Sequence, residues 1–131
     1  MFHIPTTEEL KQIRGRMMGL ESAPLFDVPE YALQNVQVSP DAIWFPIYNL
    51  QMQQVAWNSR KFSEKMYSQT EFQSPGPVFT SHQWILQMVH KYRAIVLAEG
   101  PFDYLALVGV APFTIATNSI RQQPELIWRI S

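Results

Sequence analysis

An α/β fold is what this sequence predicts, on three observations. Ala94-Ile-Val-Leu-Ala98 is a short apolar run, the composition of a strand buried on both faces. It stops at Glu99-Gly100-Pro101, where Gly100 permits a sharp turn and Pro101 suits the first position of a helix. An apolar helix face (Tyr104, Leu105, Leu107, Val108), a stop at Gly109 and a second strand over residues 113–116 then complete a βαβ unit. The two strands are expected to run parallel, adjacent or one position apart, with a right-handed crossover. Glu99 falls at the carboxyl end of the first strand, where open α/β sheets place ligands. Asp103 lies in the first helical turn, where the dipole favours an anion.

Composition narrows the function classes. A chain of 131 residues, 47% apolar and 16% charged, has the make-up of one packed domain and not of a disordered tail. Its net charge of −1 gives no global basic field, so any nucleic-acid contact must come from a local patch. The absence of cysteine excludes a disulfide framework and a Cys-based zinc site. No apolar run reaches the length of a membrane span and the amino terminus carries no signal-peptide pattern, so the expectation is a cytoplasmic protein without a membrane partner.

Upstream of the βαβ unit the elements follow in order. Thr6-Thr-Glu-Glu9 has capping-box spacing, with Thr6 bonding the third helical amide and Glu9 reaching back. Leu10, Ile13, Met17 and Met18 then form a helical stripe over residues 7–18, weakened at Gly15 and stopped at Gly19. Residues 20–41 read as an extended segment wrapping the core, with one short strand through Tyr31, Leu33, Val36 and Val38. Strands over 43–48 and 54–58 flank a polar turn, and Pro46 argues for an edge position or a bulge. Arg60, Lys61 and Lys65 then form the cationic cluster, which is a solvated hairpin end or a phosphate-binding patch. A helix over 81–91 is capped by Ser81, with Trp84, Ile85, Met88, Val89 and Tyr92 along one side. The three histidines form no ligand pattern, and His90 reads as helix-end surface. A further helix is expected over 124–130.

Strand, Glu99-Gly100-Pro101-Phe102-Asp103, apolar helix and short strand together resemble the first half of a Toprim domain, the metal-binding unit of primases, topoisomerases and some nucleases. The preceding series is similar to the bacterial and phage primase branch. It runs through Phe45-Pro46-Ile47, a return strand Val55-Ala56-Trp57 followed by Arg60, then Lys65-Met66-Tyr67 and a helix. The resemblance spans residues 42–120 and implies a division into an amino-terminal helix and wrapping segment (1–41), a small strand-containing primase-core subdomain (42–93) and a partial Toprim-like unit (94–131). It implies Mg²⁺ at Glu99 and Asp103, with Glu99 as metal ligand or general base. It also implies that Arg60, Lys61 and Lys65 hold nucleotide triphosphate or single-stranded DNA by charge.

Two departures qualify the resemblance. The turn after the second strand reads Ala116-Thr-Asn-Ser119, without the glycine of the family's Leu-Gly-Thr turn, so a nucleotide arriving there meets side chains. The family's second acidic motif, Asp-x-Asp, does not occur in the sequence, and there is no zinc-binding module. Two carboxylates make an incomplete Mg²⁺ site. The expectation is therefore a component of a split, phage-like DNA primase that makes RNA primers only with a partner chain supplying Asp-x-Asp, a replicative helicase being a further partner. The alternatives are a non-catalytic Toprim-derived protein that binds nucleic acid or a replication protein, and an α/β module whose acidic pair is incidental.

Overall fold

The computed structural model describes residues 2–21, 28–64, 67–70 and 77–118. Its elements are helix α1 (Thr7–Met17), α2 (Glu30–Leu33), strands β1 (Gln37–Val38), β2 (Ala42–Asn49), β3 (Gln54–Lys61), β4 (Ser68–Gln69) and β5 (Val78–Phe79), then α3 (Ile85–Tyr92), β6 (Val96–Ala98), α4 (Pro101–Val108) and β7 (Thr114–Ala116). The architecture is mixed α/β. The predicted helix over 124–130 lies outside the described residues, as does Lys65-Met66.

The βαβ unit is present with the expected pairing. Strands β6 and β7 are parallel neighbours in the register Val96↔Thr114, Leu97↔Ile115, Ala98↔Ala116, and α4 lies between them in the chain. One expectation fails: β6 is not buried on both faces. Ala98 is buried, but Leu97 is 38% exposed. Ala98 packs with Phe102, Tyr104, Leu105 and Val108 of α4, whereas α3 covers Ile115 on the opposite face without enclosing Leu97.

The other strands form an antiparallel sheet in the order β1-β2-β3-β4, with β5 also pairing β2. The two sheets meet at Thr80 and Ala116, which exchange both backbone hydrogen bonds at 2.9 and 2.8 Å. Pro46 sits in a strand flanked on both sides, not at an edge. On one side it faces Trp57; on the other, β1 ends its pairing at Trp44 and β5 begins at Tyr48. The missing N–H thus falls in the gap between two short partners, next to a register shift at Ile47/Tyr48, and the Pro46 carbonyl accepts from Thr80 Oγ1 at 2.8 Å.

Local chemistry explains the remaining differences. Thr6 caps α1 by accepting from the Glu9 amide at 3.1 Å, as the spacing implies, but the Glu9 carboxylate meets His3 Nε2 at 2.9 Å. Gly19 ends the helix at φ 75°, a value few side chains tolerate. Tyr31 and Leu33, expected in a strand, lie in α2: Pro29 precedes it with φ −64°, and Ala32 and Leu33 favour helix. Helix α3 begins later than expected, because the Ser81 hydroxyl donates to the Thr114 carbonyl instead of capping it. The helix has no side-chain cap; His82 Nδ1 accepts from the amide of Trp84, the residue before it, at 3.1 Å. Trp84 and Tyr92 are exposed and Ile85 and Val89 carry the buried face. One apolar cluster draws Leu10 and Ile13, Ile43 and Phe45, and Ala98 and Leu105 together, so the three segments drawn from the sequence share a core.

Candidate functional site

A cleft of about 490 Å³ opens where the carboxyl ends of β6 and β7 face β3 and β4. Asn58, Tyr67, Gln69, Glu99, Gly100, Pro101, Asp103 and Asn118 line it. Both predicted carboxylates are there. Gly100 precedes α4 with φ −118° and ψ 163°, extended backbone open to any residue, so its glycine is not required by conformation. A Cβ at Gly100 would stand 3.7 Å from Asp103 Oδ2, ordinary contact, which also shows that the Asp103 carboxylate folds back over the turn.

Asp103 has a partner that sequence reasoning missed. Arg14, from α1, places Nη2 3.6 Å from Asp103 Oδ1 and donates through Nη1 to the Phe102 carbonyl at 3.2 Å. Its guanidinium also lies over the Phe102 ring at 5.9 Å. The Asp103 side chain is 59% exposed, so the ion pair is a weak positional restraint and leaves the carboxylate free to turn.

The cations separate. Arg60 lies in β3 on the same side as Asn58, and its guanidinium covers the Tyr67 ring at 5.6 Å while Nε donates to the Glu64 carbonyl at 3.0 Å. Arg60 therefore stands directly behind one wall of the cleft. Burial pushes the Tyr67 phenol above its ordinary value; Arg60 opposes this, Asp103 adds to it and Arg14 opposes it, so these four groups share one electrostatic neighbourhood. Lys61 is the last residue of β3, and strand alternation sends it to the other face, with Ser59 and Trp57. On that face Trp44 meets Trp57 at 6.4 Å and Phe2 at 6.0 Å, both edge to face. Lys65 lies outside the described residues.

Two asparagines complete the cleft, and neither was selected from the sequence. Asn58 is 1% exposed and Asn118 9% exposed, and the Oδ1 atom of each finds no hydrogen-bond partner among the described residues. Phe45 brings Asn58 to the site: it pairs with Asn58 across β2–β3 and packs edge to face on Phe102 at 5.5 Å. Asn118 follows β7 at φ 57°, the left-handed region that asparagine tolerates better than most residues. It is one of the residues lining the cleft.

The donor set is all oxygen: two carboxylates, the amides of Asn58, Gln69 and Asn118, and the Tyr67 hydroxyl. Among the described residues no three His, Cys, Asp or Glu side chains converge. Carboxylates supplemented by amide carbonyls, with acceptor oxygens left over, suit a hard divalent ion such as Mg²⁺. The histidines stand apart: His82 is buried with both ring nitrogens engaged and His90 is exposed. No described helix is long and apolar enough to cross a membrane. The chain matches no known protein family, no curated protein and no solved structure.

Proposed function

We propose that this chain is the amino-terminal part of a primase-type catalytic core, handling nucleotide triphosphate and single-stranded DNA over the Glu99 cleft and working with a partner chain that supplies Asp-x-Asp. The observation that carries the reading is the parallel β6–α4–β7 unit with Glu99 and Asp103 lining a cleft at its carboxyl end, backed by Arg60 on Tyr67. In this reading Arg60 draws the triphosphate or the template backbone by charge. Glu99 accepts the proton of the attacking hydroxyl or acts as an ion ligand, and Arg14 stands beside Asp103 at the turn. A divalent ion held by Glu99 and Asp103 would offset the triphosphate charge. The sequence itself contains no Asp-x-Asp, so those carboxylates come from outside these residues.

The test is reconstitution. The chain alone should make no primers on single-stranded DNA; adding a polypeptide that carries the Asp-x-Asp strand should restore Mg²⁺-dependent synthesis, and Glu99→Gln should abolish it. Robust synthesis by the chain alone, or none with any such partner, would overturn the proposal. The Arg14–Asp103 contact favours a second reading, a non-catalytic protein that binds nucleic acid, because it sets a cation beside one of the two carboxylates. Single-stranded DNA binding that is indifferent to both Glu99→Gln and divalent ions would select it.

A further inference from the structure

We infer that the open edge of β6 is a self-association site, where a second copy of this chain adds its own β6 antiparallel across a two-fold axis at Leu97. The inference goes beyond the proposed function and does not depend on it, since it uses the β6 edge and not the chemistry of the cleft.

Register fixes which backbone groups of β6 point outward. Alternate residues of a strand turn both N–H and C=O to the same neighbour. On β6 the residues turned to β7 are Val96, whose amide donates to the Phe113 carbonyl at 3.0 Å, and Ala98, whose carbonyl accepts from the Thr117 amide at 2.9 Å. Leu97, between them, turns its N–H and C=O the other way, and neither finds a hydrogen-bond partner among the described residues. The far side of β7 is closed by the exchange between Ala116 and Thr80, so β6 is the outer strand. Native sheets shield such edges with charge, proline or a bulge. Ala94-Ile-Val-Leu-Ala98 carries no charge and no proline, and Leu97 is 38% exposed.

The strand is complementary to itself. A two-fold axis at Leu97 sets this residue opposite the second copy's Leu97, each amide donating to the other's carbonyl. The two leucines meet on the face where Ile95 and Ile115 pack under α3, which stops short of Leu97. Charge favours the same sense of pairing. His90, Lys91 and Arg93 precede β6, and Glu99 follows it. His90 and Arg93 line a cavity of about 430 Å³ with Val89, Ala94 and Ile95, and no acid is among the described residues lining it. Antiparallel addition sets Ile95 opposite the second copy's Glu99, so each acidic end faces a basic one, twice over by symmetry; parallel addition sets like ends together. With three residues in each β6 the contact is smaller than a standard stable interface, so the dimer is weak and concentration-dependent.

The sequence contains no cysteine, so Leu97→Cys places the one thiol of each chain at the axis. Residues that exchange both hydrogen bonds across an antiparallel pair stand about 5.5 Å apart at Cα, within reach of a disulfide. Mild oxidation should cross-link Leu97→Cys into a dimer at least about tenfold faster than Val110→Cys, whose position is 60% exposed beyond the end of α4. In sedimentation equilibrium the wild-type mass should rise toward that of a dimer as concentration approaches about 1 mM. Leu97→Lys sets two ammonium groups opposite each other and should weaken the dimer at least about tenfold. Arg93→Gly keeps the left-handed backbone at φ 51° and removes a cation, and should weaken it about threefold. Thermal unfolding shows whether each variant is folded, and Arg93→Gly carries the test if Leu97→Lys is not. A wild-type chain that stays monomeric throughout overturns the inference and leaves the edge to a different protein. Equal cross-linking of the two cysteine variants, or a dimer indifferent to the folded substitutions, overturns it by placing the contact elsewhere.

Discussion

The separation of Arg60 from Lys61 predicts how single-stranded DNA binding responds to salt. Removing one phosphate contact lowers the slope of log affinity against log salt by about 0.7 for a single strand. Across a fourfold salt range, 50 to 200 mM, that is about a 2.6-fold smaller loss of affinity per contact. Arg60 stands behind the cleft wall on Tyr67, and alternation puts Lys61 on the Trp44–Trp57 face, so of these two it is Arg60 that contributes to a strand lying over Glu99. Arg60→Met keeps an apolar chain on the Tyr67 ring while deleting the charge, and should reduce the slope by about 0.7. Lys61→Met should leave it unchanged. Fluorescence anisotropy with a labelled oligonucleotide at several salt concentrations measures both. A slope lost in Lys61→Met and retained in Arg60→Met would refute the reasoning, since the strand would then run over the opposite, aromatic face.

Further predictions concern stability. His82 is buried, its Nε2–H donates to the Pro112 carbonyl at 2.7 Å and Nδ1 accepts from Trp84, and burial holds its pKa below the ordinary 6.5 despite the Pro112 bond. Its contribution is full above pH 6.5, where neither state is protonated. It falls as pH drops below 6.5, because the unfolded chain takes the proton first, and is lost below the folded-state pKa. Urea midpoints at pH 7.5 to 5 should fall more steeply for wild type than for His82→Gln; parallel profiles would contradict this. Arg93 ends α3 at φ 51°, so Arg93→Gly should raise stability by about 0.5–1 kcal/mol in urea unfolding, and a loss would show that its side chain matters more than its backbone. The buried Tyr104 hydroxyl lies near Ser81, whose own proton goes to Thr114, and makes no hydrogen bond of good geometry among the described residues. Tyr104→Phe should therefore gain about 1 kcal/mol by the same measurement, and a comparable loss would reveal a partner for the hydroxyl.

What could be read from the sequence was what is local. The Ile95-Val-Leu97 run, Pro101 at a helix start and Gly109 at its end mark β6 and α4 by chemistry contained within a few residues, and Glu99 and Asp103 follow from their place on them. Asn58, Asn118 and Arg14 join the site through contacts across the fold: Arg14 reaches the Phe102 carbonyl over a separation of 88 residues, and Asn118 is set by Thr80. Nothing beside them in the chain marks them. Arg60 and Lys61 separate for a nearer reason. Ending the strand at Asn58 treats Arg60 and Lys61 as one patch, whereas β3 continues to Lys61 and alternation parts them. Pro46 and α2 show tertiary context and local propensity overriding a simple reading of strand pattern.

Backbone amide NMR of the isotopically labelled chain, titrated with ATP and Mg²⁺, tests the central claim most directly. Binding in the cleft should shift the amides of Gln69, Glu99, Gly100 and Asn118, with little change at Trp44, Trp57 and Lys61, and Glu99→Gln should weaken the response. Shifts confined to the Trp44–Trp57 face, or none at millimolar nucleotide with Mg²⁺ present, would contradict the assignment of this cleft to nucleotide phosphate chemistry.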